Sequence, residues 1–229
     1  IVRVPATTAN IGSGFDTLGM SLGLYNVVQF VPEEGRGLED TVIRAEGEGA
    51  DQIPSGMDNM IIQAMAETAQ KAGKKIPGGS MYLINRIPFA RGLGSSSAAL
   101  ASGVFLANLL MGEPFDRKEI LNITAEMEGH PDNAAPAILG GFCMALLKDG
   151  HVTAESIAVA ELFGGLRHFT ADTECIGKIV GGSRGDIAQR GAGPGAEQAG
   201  NGLVQGPGAA AADHSVHILC ALLRLPGGR

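Results

Sequence analysis

The sequence has no tryptophan, only three cysteines and few charged residues, and each shortage excludes a class of protein. Cys143, Cys175 and Cys220 are too few and too scattered for a disulfide framework or a zinc site. No apolar run reaches the roughly 18 residues of a membrane span, and the first residues lack the basic-then-apolar layout of a secretory signal. A net charge of −7 provides no basic stripe for nucleic acid. We therefore expect a cytoplasmic protein that binds neither nucleic acid nor a membrane.

Glycine is the residue in excess, with 35 copies in 229 positions, and its distribution divides the chain. Residues 177–208 contain 11 glycines in 32 positions and show neither helical nor alternating apolar periodicity. Such a stretch buries too little apolar surface to offset the entropy of ordering it. Residues 1–160, in contrast, have the composition of an ordinary mixed α/β domain.

Apolar periodicity over residues 1–160 predicts a succession of strands and helices. The predicted strands are Ile1–Val4, Leu24–Val31, Thr41–Glu46, Met81–Ile87, Gly141–Lys148 and His151–Val159. The predicted helices are Asp58–Gly73, Ser95–Met111 with its serines as caps, one opened by the capping-box pair Asp116 and Glu119, and Asn133–Leu139. The dipeptide Asp149-Gly150 predicts a hairpin between the last two strands.

A glycine–serine turn from Pro88 to Ala98 (PFARGLGSSSA) is the most informative segment. It joins a predicted strand to a predicted helix, where unpaired N–H groups and the helix dipole favour an anion such as phosphate. The segment lacks the Gly-Lys-Ser/Thr ending of a Walker A loop, and Ser97 occupies the place of the third glycine in a dinucleotide fingerprint. A serine-capped helix after a tight turn explains the pattern equally well.

Two further segments group polar side chains. In Glu126-Met-Glu128-Gly-His130-Pro-Asp-Asn133, the two glutamates point to different faces of a helix, and one could share Mg²⁺ with a hydroxyl and a phosphate. The alternative is a Pro-Asp-Asn helix cap with an exposed histidine. In the N-terminal loop, Asn10 and Asp16 suit an ammonium or hydroxyl group of a small substrate, although a glycine-rich turn with an Asx cap is equally compatible.

Taken in order, VPATTANIGSGFD, PFARGLGSSSAALASG and EGHPDNAAPAILGG resemble the homoserine kinases of the GHMP small-molecule kinase superfamily. The resemblance covers residues 1 to about 160. It implies a two-domain α+β fold, with an N-terminal ATP-binding domain at residues 1–160 and a ferredoxin-like C-terminal domain. It also implies ATP-dependent phosphorylation of the hydroxyl of L-homoserine, Mg²⁺ as cofactor and a homodimer as the candidate assembly.

The resemblance also implies roles for individual residues. Around the ATP it places Asn59, Pro88, Arg91, Gly92, Leu93, Gly94, Ser95, Ser96 and Ser97. It assigns Ser97 and Glu128 to Mg²⁺, with Glu126 as the second choice, and Asn10, Asp16 and His130 to the amino acid. Asn133 lies beside the reacting groups, and with Asp16 it completes the catalytic set. The family is thought to use no dedicated base, which suits phosphoryl transfer driven by positioning and charge neutralisation.

Beyond residue 160 the sequence departs from the family. The arginine expected to hold the substrate carboxylate falls on Gly177, and a glycine cannot replace a bidentate guanidinium. We therefore expect residues 161–229 to be a degenerate, shortened or mis-sequenced C-terminal domain. Two alternatives stay open, a nucleotide-binding paralogue with impaired catalysis and a GHMP kinase for another small alcohol.

Overall fold

In the computed structural model of the chain, residues 1–158 and the short strand at 217–218 are described, and they form one sheet with four helices. The strands are β1 (Val2–Thr8), β2 (Leu18–Pro32), β3 (Val42–Gly47), β4 (Gly79–Asn85), β5 (Phe142–Lys148), β6 (His151–Ile157) and β7 (His217–Ile218). The helices are α1 (Met60–Lys71), α2 (Ser95–Leu110), α3 (Arg117–Glu128) and α4 (Pro131–Leu139). This mixture is the predicted α+β class, and the expected character of residues 161–229 lies outside the described residues.

The long strand β2 organises the sheet. The sheet runs β3-β4-β2-β1-β7, while β5 pairs with the first residues of β2 and with β6. Among the described strands, only the β3–β4 pair is parallel. The residues of β2 from 18 to 20 pair with β5 and those from 27 to 32 pair with β4, whereas β1 spans both parts. The prediction of Leu24–Val31 was therefore too short, because the early part of β2 carries two glycines that weaken a strand pattern.

Gly19 shows why a glycine is needed in that early part of β2. A Cβ atom at this position would lie 1.8 Å from the backbone oxygen of Asp132 in α4. The absence of a side chain lets α4 pack directly on the strand. Helix α2 makes a similar close approach, since a Cβ on Gly103 would lie 2.4 Å from the backbone oxygen of Ile61 in α1.

Helix α2 is the centre of the core. It is buried along most of its length, in agreement with its small apolar residues, and it packs against α1, α3, α4 and β1. Within the described residues, none of the helices has the length and apolar character that crossing a membrane requires.

The structure confirms some of the helix caps and turns predicted from the sequence and contradicts others. The capping box of Asp116 and Glu119 is present at the start of α3, and β5 and β6 form the predicted hairpin around Asp149-Gly150. The predicted serine cap of α2 is wrong, because the N-cap is Gly94 in the left-handed conformation. Helix α4 begins at Pro131 rather than Asn133, since proline suits the first helical position.

Candidate active site

The glycine–serine turn connects the end of β4 to the start of α2. Gly92 and Gly94 have φ values of +67° and +63°, a region that disfavours residues with a side chain. The space around them is also closed, because a Cβ on Gly94 would lie 1.9 Å from Thr7 Oγ1 and one on Gly92 would lie 2.5 Å from Asn10 Nδ2. The buried Leu93 between them anchors the turn, and its carbonyl accepts a hydrogen bond from the Thr7 amide at 3.0 Å.

The first turn of α2 is open to an anion. Gly94 has no side chain to cap the helix, so the first N–H groups of α2 are available to a ligand at the positive end of the helix dipole. Ser95 and Ser96 are at least partly accessible at this end and line a cavity. This geometry supports the phosphate-site interpretation over the serine-capped helix, and its chemistry is that of anion binding by backbone amides.

The three sequence segments meet in one cavity of about 510 Å³. Its lining includes most of the predicted site residues, namely Asn10, Asp16, Pro88, Arg91, Gly92, Leu93, Gly94, Ser95, Ser96, Glu128, His130 and Asn133. The walls also contain Phe15, which is 65% exposed, and Phe89. We call this space the polar cavity.

A second cavity of about 330 Å³ lies beside the polar cavity and has mostly apolar walls. The two spaces share Met60, Phe89, Ser95 and Ala99. We call the second space the apolar cavity. A flat ring system fits such a space, because ligand pockets bury ring surfaces against apolar side chains. The pair of cavities therefore offers one compartment for an aromatic group and one for charged groups, with the glycine–serine turn at their junction.

Asn59 lines the apolar cavity, but its side chain is already occupied. Its oxygen caps α1 by accepting from the amides of Ile61 at 2.9 Å and Ile62 at 3.4 Å, and its Nδ2 donates to the carbonyl of Pro54 at 2.9 Å. The residue is 3% exposed. Asn59 therefore shapes the wall formed by the chain around Pro54.

The two glutamates of α3 have separate environments, as their spacing predicts. Glu126 is exposed and its carboxylate lies 2.9 Å from Lys71 Nζ, on the side of the helix facing α1. Glu128 faces the turn instead, and its Oε1 accepts a hydrogen bond from Ser96 Oγ at 2.5 Å. Its Oε2 is buried without a hydrogen-bond partner among the described residues.

Ser97 has a different position from its neighbour Ser96. It is fully buried, its hydroxyl has no hydrogen-bond partner among the described residues, and it lines neither cavity. Successive helical residues differ by about 100° in direction, which explains how adjacent serines come to face the core and the cavity. The serine beside Glu128 is thus Ser96, whereas the family resemblance had implied Ser97 as the metal ligand.

His130 is the first residue in a chain of hydrogen bonds leading away from the polar cavity. Its Nδ1 lies 2.7 Å from Oδ1 of Asp132, which is 3% exposed. The contact is a hydrogen bond to the carboxylate in the tautomer whose proton is on Nδ1, and in that tautomer Nε2 is left for a ligand. The same Asp132 oxygen accepts from the Asn133 amide at 2.8 Å, and Asn133 Oδ1 accepts from Thr7 Oγ1 at 2.9 Å.

Thr7 and Asp132 are the residues whose roles sequence reasoning missed. Both are buried, and both hold other residues at the polar cavity. Thr7 lies outside the cavity lining and contacts the Leu93 carbonyl and Asn133, whereas Asp132 lines the cavity and contacts His130 and Asn133. Thr7 also stands in an almost fully buried strand, so its hydroxyl needs an internal partner. No local pattern in the sequence pointed to Thr7, because the predicted strand Ile1–Val4 ends before it, whereas β1 extends to Thr8.

The residues present fit a Mg²⁺ ion at one place. Within residues 1–158, no group of three His, Cys, Asp or Glu side chains could hold a metal by itself. Mg²⁺ needs fewer protein ligands than this, because it keeps several waters and binds one or two carboxylates together with substrate phosphates. Glu128, with a buried unpaired oxygen next to the hydroxyl of Ser96, provides such a partial site at the glycine–serine turn.

Comparison with known proteins shows what this fold and site resemble. Residues 59–141 match the family described as GHMP kinases N terminal domain. This segment includes the capped start of α1, the glycine–serine turn and the whole of α4.

The sequence is also similar to homoserine kinases. It is 47% identical over 149 residues to the homoserine kinase of Synechocystis sp., a match that covers 65% of this chain and 48% of the relative. A Listeria monocytogenes structure provisionally assigned as a homoserine kinase superposes with a TM-score of 0.60 at 36% identity, covering 69% of this chain and 54% of that one. The homoserine kinase of Cytophaga hutchinsonii gives 0.57 at 27% identity, covering 69% and 51%. The chain spans about half the length of the curated relatives it matches.

Proposed function

We propose that this protein transfers the γ-phosphoryl group of ATP to the side-chain hydroxyl of L-homoserine. One observation carries the proposal: the three motif segments, far apart in sequence, line one polar cavity next to an apolar cavity. The similarity to homoserine kinases over about two thirds of the chain supports the choice of acceptor.

The geometry suggests how ATP would lie. The apolar cavity accepts the adenine and ribose, and the first turn of α2 receives the phosphates at the junction of the two cavities. Arg91, which is exposed beside the turn, adds positive charge near the phosphates. The remaining part of the polar cavity is left for the acceptor.

The acceptor would be held by groups from the other two segments. The carboxylate of Asp16 suits the ammonium group of homoserine, and the side chains of Asn10, His130 and Asn133 offer hydrogen bonds to its polar groups. The hydroxyl oxygen forms a bond to the γ-phosphorus while the bond from that phosphorus to the β–γ bridging oxygen breaks. The products are O-phosphohomoserine, ADP and a proton released to solvent. Positioning and charge neutralisation provide most of the rate enhancement in such a transfer.

Mg²⁺ is part of the proposal, with Ser96 and Glu128 as its ligands in place of Ser97 and Glu128. The ion would supply neutralisation of phosphate charge. The support is the unpaired buried oxygen of Glu128 and the 2.5 Å contact between its other oxygen and Ser96.

A coupled assay of ADP release tests the proposal, with homoserine as acceptor and mevalonate and shikimate as alternatives. We expect turnover with homoserine. Turnover with another alcohol alone would redirect the acceptor assignment, and nucleotide binding without turnover on any of them would favour a catalytically impaired paralogue.

Two glutamate variants test the metal assignment. Glu128→Gln should raise the Mg²⁺ concentration needed for half-maximal activity by about 10- to 100-fold. Glu126→Gln is the matched control, because it removes a carboxylate from the same helix that contacts only Lys71 on the surface. It should change stability by less than about 1 kcal/mol and leave the Mg²⁺ requirement unchanged. Equal effects of the two substitutions would refute the assignment.

The cytoplasmic location and the homodimer expected from the resemblance stay predictions. Light scattering on the purified protein measures the second.

A further inference from the structure

Two asparagines with buried side chains lie in the wall of the apolar cavity. Asn26 is 5% exposed and belongs to β2, and Asn85 is 2% exposed and ends β4. Both line the apolar cavity, one position beyond the last register pair between Val27 and Ile84. Neither residue belongs to the three motif segments.

The two side chains form a connected set of hydrogen bonds with the backbone. Asn26 Oδ1 accepts from the amides of Arg86 at 2.8 Å and Ile87 at 3.1 Å. Asn26 Nδ2 donates to Asn85 Oδ1, and Asn85 Nδ2 donates to the carbonyls of Glu48 at 2.6 Å and Ile87 at 3.4 Å. Each amide therefore uses both its oxygen and its nitrogen.

These bonds join two segments that form walls of the apolar cavity. Arg86 and Ile87 lead directly into Pro88 and Phe89, and Phe89 lines both cavities. On the other side, Glu48 leads into the segment whose residues 52–54 line the apolar cavity. The walls also meet at Gly49, where a Cβ would lie 2.3 Å from the Phe89 ring.

The network accepts only one orientation of each amide. Two backbone N–H groups fix Asn26 Oδ1, so its Nδ2 must face Asn85. Asn85 must then present its oxygen to Asn26 and its nitrogen to the Glu48 carbonyl. An aspartate at position 26 would place an oxygen against Asn85 Oδ1, and one at position 85 would place an oxygen against the Glu48 carbonyl. A partly satisfied buried network of this kind is strongly unfavourable.

We propose that Asn26 and Asn85 are positioning residues that fix the separation of the two walls of the apolar cavity and thereby set the affinity for the nucleoside part of ATP. The inference rests on the proposed function in so far as that cavity receives the nucleoside. It assigns neither residue to the chemistry of transfer, and both act through the backbone of Glu48, Arg86 and Ile87.

The test compares two ligands on the full chain by calorimetry. ATP contains the nucleoside, whereas inorganic tripolyphosphate contains only the charged part. We expect Asn85→Asp and Asn26→Asp to weaken ATP binding by about tenfold or more, since each leaves buried polar groups unpaired or opposed. Tripolyphosphate binding should change by less than about twofold. In the kinetic assay the KM for ATP should rise while kcat at saturating ATP and the KM for homoserine remain as before.

Asn108→Asp is the matched control. Asn108 is 4% exposed, its Nδ2 donates to the carbonyl of Phe115 at 3.0 Å and its Oδ1 accepts from the amide of the same residue at 3.0 Å, so an aspartate there creates the same oxygen–oxygen opposition away from both cavities. It should lower the melting temperature without changing ATP affinity. The proposal is overturned if the Asn108 variant loses as much ATP affinity as the Asn26 and Asn85 variants. It is also overturned if the Asn26 and Asn85 variants lose ATP and tripolyphosphate binding equally.

The outcomes separate this inference from the proposed function. If the wild-type chain binds ATP but phosphorylates no homoserine, the proposed reaction fails while the binding comparison still decides the role of the two asparagines. If the wild-type chain binds tripolyphosphate but not ATP, the inference is overturned. Should the aspartate variants not fold, Asn26→Ala and Asn85→Ala remove the bonds without opposing charges, and the same selective loss of ATP affinity is expected of them, with Asn108→Ala as control.

Discussion

Replacing Thr7 with valine should remove the side-chain link between β1, which contacts the glycine–serine turn, and Asn133 in the polar cavity. The Thr7 side chain is fully buried, and its hydroxyl donates to Asn133 Oδ1 at 2.9 Å. Valine has nearly the same shape, so the change removes the hydroxyl without opening a cavity. The Asn133 oxygen, which is part-buried at the polar cavity, is left without this donor, a loss of about 0.5–1.5 kcal/mol for a typical hydrogen bond. The contact between the Thr7 amide and the Leu93 carbonyl is retained.

Loss of this hydrogen bond should mainly slow the transfer of the phosphoryl group to homoserine. If Asn133 is correctly placed only when Thr7 holds it, kcat/KM for homoserine should fall by about 2- to 12-fold, which corresponds to the same 0.5–1.5 kcal/mol. The KM for ATP should change little, because Thr7 lies in neither cavity lining. Steady-state kinetics with each substrate varied in turn, in the ADP-release assay, measure both effects.

Two further threonine variants make the prediction decisive. Thr7→Ser keeps the hydroxyl and loses a methyl group, so it should reduce stability by about 1 kcal/mol but restore most of the activity. Thr68→Val removes an equally buried hydroxyl, which donates to the Ala64 carbonyl within α1 at 2.6 Å. It should reduce stability without a selective effect on homoserine. The reasoning is refuted if serine fails to rescue activity, or if Thr68→Val and Thr7→Val lower kcat/KM equally.

Three other substitutions give separate tests. Gly94→Ala should destabilise the fold by more than the roughly 1–2 kcal/mol of a left-handed residue, because its Cβ would also lie 1.9 Å from Thr7 Oγ1; a smaller loss in urea unfolding would contradict the described turn. Ser96→Ala should weaken the use of Mg²⁺-ATP in titrations of activity, whereas Ser97→Ala should leave it unchanged; the reverse order would restore the sequence-based choice of Ser97. Burial raises the pKa of the Cys143 thiol, more than the hydrogen bond from Ser156 lowers it. The unfolded thiol therefore ionises first, and the wild type should lose more stability than Cys143→Ala in urea unfolding as pH rises above about 8.5; equal losses would show that the thiol does not contribute.

The parts of the fold that sequence predicts best are those specified by local chemistry. The Asp116–Glu119 capping box and the Asp149-Gly150 hairpin each depend on residues within a few positions, and both are present. The extent of β2 depended instead on a distant contact between Gly19 and the Asp132 backbone, which no local pattern reveals.

In the candidate site, too, some features follow from local sequence and others depend on distant contacts between side chains. Sequence identified the three segments that meet in the polar cavity, because glycine, serine and acid patterns have recognisable chemistry. It could not choose between Ser96 and Ser97, since adjacent positions on a helix differ only in the direction set by packing. It also missed Asn26 and Asn85, whose partners are mainly backbone groups brought together by the fold of the sheet.

The close packing of α4 on β2 has a consequence for any redesign of the acceptor site. Gly19 touches no ligand compartment, yet any larger residue there would lift the start of the helix and displace His130 and Asn133 together. A mutagenesis library aimed at new alcohols should therefore keep this glycine fixed and vary Asn10 and Asp16, whose exposed side chains have room to change. Tolerance to substitution at the candidate site would thus be governed partly by a position that ligand-centred scanning overlooks.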